Sequence, residues 1–65
     1  MTIKVNGEER ELATGTTVAQ LLEQLKFTPR NVAVELNRRL LRSDRYETVL
    51  KDGDAVEIVT FVGGG

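Results

Sequence analysis

Apolar positions alternate with polar ones near both ends of the chain and take a helical spacing once in between. Met1, Ile3 and Val5 alternate with Thr2, Lys4 and Asn6, the period-two pattern of a strand with one buried face. Asn6-Gly7 follows, the residue pair that most readily takes the positive φ angles of a two-residue hairpin turn. Glu8 to Leu12 is therefore predicted to return as a second strand, with Arg10 and Leu12 on one face and Glu9 and Glu11 on the other. Gly15 then breaks the pattern, and Thr17 and Gln20 stand at capping-box spacing before an apolar run. Val18, Leu21, Leu22 and Leu25 form one helical stripe. A helix of about ten residues is too short to hold in water alone, so it must lie on an apolar surface. Pro29 disfavours helical geometry at Thr28 and ends the helix there or earlier.

Val32, Val34 and Leu36 alternate with Ala33, Glu35 and Asn37 as a third strand. Residues 38–46 are rich in charge, and Leu40-Leu41 within them reads as an edge strand or a bend. Asp52-Gly53-Asp54 is a turn signal before a last strand, Ala55 to Val62. Val56, Ile58, Thr60 and Val62 share one face of that strand, and Ala55, Glu57, Val59 and Phe61 share the other. Apolar residues on both faces fit a central strand, covered twice, or covered once with its outer face kept for a partner. One helix cannot cover both faces of a sheet. The order strand, strand, helix, strand, irregular piece, strand predicts an α+β domain of β-grasp (ubiquitin-like) architecture: a mixed sheet with one main helix on one face. Residues 1–62 form the expected domain and 63–65 a flexible glycine tail.

Composition removes most chemistry. Sixty-five residues leave no room for a deep substrate pocket, and a formal charge of -1 supplies no field for nucleic acid or an anionic membrane. Without cysteine or histidine there is no thiol nucleophile, imidazole base or usual zinc ligand, and no carboxylate pair has the supporting residues of a catalytic dyad. The expectation is a protein without catalytic residues, with no bound metal or cofactor, monomeric when free. Met1 runs directly into a strand pattern with no secretory signal, and no apolar run approaches the roughly 20 residues that cross a bilayer, so a cytoplasmic location is expected.

What remains is Gly63-Gly64-Gly65. A glycine end is thin and conformationally permissive, and three extended residues reach on the order of 10 Å, enough to enter a narrow site. A terminal carboxylate is ionised near neutral pH and must be activated before it reacts. A frayed end is the bland alternative.

The pattern resembles the ThiS family, the ubiquitin-like sulfur carriers of thiamine synthesis. The likeness rests on the short length, Asn6-Gly7, Val32-Ala33-Val34-Glu35-Leu36-Asn37, Asp52-Gly53-Asp54, and above all Ile58-Val59-Thr60-Phe61-Val62-Gly63-Gly64-Gly65. The chain departs from the resembled pattern after the third strand, where Arg42, Ser43 and later Tyr46 stand in place of a proline and arginine followed by tryptophan. The resemblance implies that Gly65 carries the chemistry. A ThiF-like, E1-type enzyme uses ATP to adenylate its carboxylate, a persulfide enzyme supplies sulfur to form a thiocarboxylate, and a ThiG-like thiazole synthase receives that sulfur. Gly63 and Gly64 then thread the end into successive partner sites. The carrier is a cosubstrate and not an enzyme.

Val59 and Phe61 are candidates for partner docking, against the alternative that both belong to the core. Arg38, Arg39, Arg42 and Arg45 form a basic cluster, and Glu8, Glu9 and Glu11 an acidic edge; both read first as solvated faces. Three other functions stay open: the sulfur-carrying small subunit of molybdopterin synthase, a ubiquitin-like modifier joined to lysines, and an interaction domain with an inert tail.

Overall fold

The computed structural model describes residues 1–61. Its elements are β1 (Thr2–Val5), β2 (Glu8–Glu11), α1 (Val18–Gln24), a 3-10 turn at Pro29–Asn31, β3 (Val32–Leu36), β4 (Arg39–Leu41), a second 3-10 turn at Ser43–Arg45, and β5 (Ala55–Thr60). The five strands form one mixed sheet in the order β2-β1-β5-β3-β4. β5 runs parallel to β1 and antiparallel to β3, so it lies between two antiparallel hairpins. This is the expected α+β architecture.

Both hairpins close with two residues at positive φ. Asn6 (50°) and Gly7 (85°) join Val5 to its partner Glu8, while Asn37 (52°) and Arg38 (70°) join Leu36 to Arg39. Such turns twist in the same sense as the strands they connect. The second settles the segment around Leu40-Leu41 as an edge strand.

Neither asparagine stops at its turn. Asn6 donates its backbone N–H to Val56 O (2.8 Å) and its side-chain amide to Ile58 O (3.2 Å), while its side-chain oxygen accepts from Ile58 N (2.7 Å). The side chain thus continues the ladder after β1 itself has turned away. Asn37 donates its backbone N–H to Ala55 O (2.7 Å), its side-chain oxygen accepts from Ala55 N (2.9 Å), and its amide donates to Asp54 Oδ1 (3.0 Å). Asp54 also caps its own turn, accepting from Lys51 N at 2.8 Å.

The helix has seven residues rather than about ten. Thr17 and Gln20 form the expected capping box, Gln20 N donating to Thr17 Oγ1 and Thr17 N to Gln20 Oε1. Val18 N donates to Thr48 O (3.0 Å) and Ala19 N to Tyr46 O (2.8 Å), so the first helical N–H groups, which lack intrahelical partners, are all taken by protein. At the other end Phe27 N reaches Leu22 O (2.9 Å) and Lys26 N reaches Glu23 O (3.0 Å), with Lys26 at φ 63°. That is a Schellman cap, and it stops the helix before Pro29 acts. Pro29 instead opens the first 3-10 turn.

Val18, Leu21 and Leu22 of α1 pack on Ile3, Val5, Val32, Val34, Val56 and Ile58 of the sheet, with Tyr46 and Leu50 closing the side. Among the described residues no helix lies on the opposite face of the sheet. Thr60 shares a face with Val56 and Ile58 yet is exposed, and every residue of β2 is exposed. The inner face of β5 runs out because the short helix leaves Thr60 beside an open groove. No helix among the described residues is long and apolar enough to cross a membrane.

Two measurements test this account. Lys26 holds a left-handed conformation that disfavours a Cβ, so Lys26→Gly is expected to stabilise the domain by about 0.5–1 kcal/mol and raise the thermal midpoint by a few degrees. Burial pushes the Tyr46 phenol above its ordinary value of 10.0. Its stabilising contribution is therefore complete below the unfolded pKa and lost as pH rises through the higher folded one. Thermal melts from about pH 9 to about pH 11 should show a steeper alkaline loss for the parent than for Tyr46→Phe.

Candidate functional site

The end of β5 is built asymmetrically. On one flank β3 follows it throughout, from Leu36 opposite Val56 to Val32 opposite Thr60, and Phe61 N still donates to Asn31 O at 2.7 Å. On the other flank β1 pairs only Lys4 with Ala55 and Val5 with Val56, after which Asn6 reaches Ile58. The last residues of β5 thus project past the β1-β2 hairpin, held mainly from one side.

Alternation places Val59 and Phe61 on the face away from α1. They are 58% and 62% exposed, whereas Val56 and Ile58 are 1% and 5% exposed. The core alternative is therefore excluded for Val59 and Phe61 and holds for Val56 and Ile58. Strand register adds neighbours to this outer face: Ala33 lies opposite Val59, and Leu40 lies opposite Glu35, which in turn lies opposite Glu57. Leu40 is 69% exposed. Two carboxylates directly opposite each other on an exposed face repel, so this surface is not arranged for stability alone.

Around the edge of the sheet, Phe61 also borders an open groove of about 290 Å³ shared with Lys26, Phe27, Thr28 and Thr60. Apolar surface therefore surrounds the point where the described chain ends, with Val59 and Phe61 on one side and Phe27 on the other. Sequence reasoning missed Leu40, Ala33 and Phe27 here. Leu40 had no clear local signal, because the Asn37-Arg38 turn that fixes which residues of the following strand face outwards places an arginine at positive φ.

The remaining candidates fall apart spatially. Gly63, Gly64 and Gly65 lie outside the described residues, as does Val62. Glu8, Glu9 and Glu11 are exposed on the β2 edge, and Arg38, Arg39, Arg42 and Arg45 are exposed on or beside β4 at the opposite edge. Arg42 approaches Asp44 at 3.8 Å, a surface pair of little energetic weight. Among the described residues no cluster of acidic side chains is placed to hold a metal ion, and every buried side-chain nitrogen or oxygen has a hydrogen-bond partner.

Known proteins are similar to this chain in fold and in sequence. The crystal structure of the thiamine biosynthesis protein (ThiS) from Geobacter metallireducens superposes with a TM-score of 0.84 at 40% identity, covering 100% of both chains. The sulfur carrier protein ThiS of Bacillus subtilis is 37% identical over 65 residues, 97% of this chain and 98% of that protein. A thiazole synthase of Paramagnetospirillum magneticum is 44% identical over 66 residues; the match takes in 100% of this chain but spans only 20% of that protein. The family model for ThiS matches residues 3–65, and with the five-stranded sheet and single helix it places the chain in the ThiS family.

Proposed function

We propose that this protein is the sulfur carrier of thiazole formation in thiamine biosynthesis, with Gly65 as the residue that bears the sulfur. The observation that carries this reading is the family match, which runs through Gly63, Gly64 and Gly65 to residue 65. A ThiF-like enzyme joins the Gly65 carboxylate to the AMP of ATP and releases pyrophosphate. The acyl-adenylate turns an unreactive carboxylate into an electrophile with a good leaving group. The terminal sulfur of a persulfide displaces AMP to give an acyl disulfide. A second thiol then attacks that disulfide at the donor's sulfur, forming a new disulfide with the donor and releasing the thiocarboxylate. That nucleophile is delivered to a ThiG-like thiazole synthase. The two relatives named thiazole synthase support this partner, because in each a region resembling this chain belongs to the same polypeptide. ATP is consumed by the partner and is not a bound cofactor. The protein acts as a cytoplasmic cosubstrate, monomeric when free, and binds neither nucleic acid nor membrane.

Val59 and Phe61 supply the docking contact. They are exposed, apolar, and lie immediately before the segment that must enter the partner. On this reading residues 1–62 serve as the address and residues 63–65 as the segment that enters the partner's site.

Intact-mass spectrometry after incubation with ATP, a ThiF-like enzyme and a persulfide source should show one carboxyl oxygen of Gly65 replaced by sulfur. An unchanged mass with competent partners would overturn the proposal. Gly64→Trp should abolish this conversion while leaving the thermal midpoint unchanged. Val59→Ser with Phe61→Ser should alter unfolding free energy by no more than about 0.5 kcal/mol per site, as exposed positions do, yet slow adenylation at limiting carrier. Equal rates for that variant and the parent would remove both residues from the interface.

A further inference from the structure

Asn6 combines a reactive sequence with a structural task. It precedes Gly7 in an exposed turn, and a Cβ built at Gly7 would meet nothing within 4 Å, so water and solvent ions reach the site freely. The same residue's amide holds Ile58 through both its oxygen and its nitrogen. We propose that Asn6 is a site of spontaneous deamidation which the fold itself restrains, and that its conversion releases the end of β5. This inference is independent of the chemistry proposed for Gly65.

In the reaction the Gly7 backbone nitrogen attacks Cγ of Asn6. A nitrogen–carbon bond forms, the Cγ–Nδ2 bond breaks, and ammonia departs carrying the proton from the Gly7 amide. Water then opens the cyclic imide at either carbonyl, giving aspartate or isoaspartate. Gly7 favours the attack because it has no side chain to shield its nitrogen. The folded protein opposes it, because Oδ1 and Nδ2 are both engaged with the backbone of Ile58 at 2.7 and 3.2 Å. Those two bonds must open before Cγ is free to turn towards Gly7, so the reaction proceeds through a locally opened state.

Either product weakens the clamp. Aspartate accepts from Ile58 N but has no hydrogen to donate to Ile58 O. Isoaspartate also lengthens the main chain by one carbon inside a two-residue turn whose length sets Val5 against Glu8. The strand beyond Val56 is then held less firmly on the β1 flank, and that is the part carrying Val59 and Phe61.

The molecule contains its own comparison. Asn37 has nearly the same φ (52°) at the same turn position, and its side-chain oxygen likewise accepts from a β5 amide, Ala55 N at 2.9 Å. It is followed by Arg38, whose side chain hinders the attacking nitrogen.

The full chain, held at mildly alkaline pH in native buffer and in urea sufficient to unfold it, is mapped over time by peptide mass spectrometry with isoaspartate-specific detection. In urea, conversion should concentrate at Asn6 and yield both products, with Asn37 lagging well behind. In native buffer conversion at Asn6 should be slower by about tenfold or more. Converted native protein, separated by charge, should melt at a lower temperature and exchange its Ile58 amide hydrogen faster, and Asn6→Asp should reproduce the lower melting temperature. Equal rates in buffer and urea would overturn the restraint. Comparable rates at Asn6 and Asn37 in urea would overturn the role of Gly7. An unchanged melting temperature after conversion would overturn the claimed release of β5.

Discussion

The sheet depends on one strand being bonded from both sides. β5 stands between the β1-β2 and β3-β4 hairpins, which also share the cover of α1, Tyr46 and Leu50. Each hairpin closes with an asparagine whose left-handed conformation makes the turn and whose side chain then grips β5, Asn6 at Ile58 and Asn37 at Ala55. The same two residues therefore shape the hairpins and attach them to the centre. Asparagine suits both tasks, since it tolerates positive φ and its amide offers the donor and acceptor of a backbone peptide group. Glycine would make the turn and leave β5 short of partners.

The helix, in turn, determines which parts of the sheet are free. Its first N–H groups are occupied by Thr17, Thr48 and Tyr46, so its N-terminus is closed to an anion. Its Schellman cap ends it early, leaving Thr60 uncovered and a groove beside Phe27. The surface available to a partner is consequently concentrated at one end of β5, where the outer apolar residues and the groove meet. Lys26 borders the groove at that end, while the acidic cluster lies on the β2 edge and the arginine cluster by β4.

Much of this was readable in the chain. The alternation in β1, β3 and β5, the Asn6-Gly7 turn, the capping box and the helical stripe all stand in the structure because each is a local signal with one dominant cause. The resemblance to the ThiS family agrees with the family match. Illegible parts had competing causes. Arg38 gives no hint of a left-handed turn, since arginine rarely takes that conformation, and so β4 stayed ambiguous. Lys26 concealed the helix end for the same reason, and Pro29 drew attention to a later position than the one that matters. Val59 and Phe61 were undecided between core and surface because an apolar two-faced strand fits either, and only the position of the single helix separates the cases. The grip of Asn6 on Ile58 spans 52 positions and leaves no trace in local pattern.

The position of β5 in the chain also bears on biosynthesis. It is the last of the described elements in sequence and the central one in space, so it emerges from the ribosome after both hairpins and the helix. Until it inserts, the two hairpins have no common neighbour in the sheet, and the apolar residues beneath the helix lack Val56 and Ile58. A nascent or prematurely terminated chain that lacks β5 is thus left with two unjoined hairpins, the kind of species that proteases remove. Placing the centre of the fold last makes a completed sheet a certificate that translation has passed through residue 60.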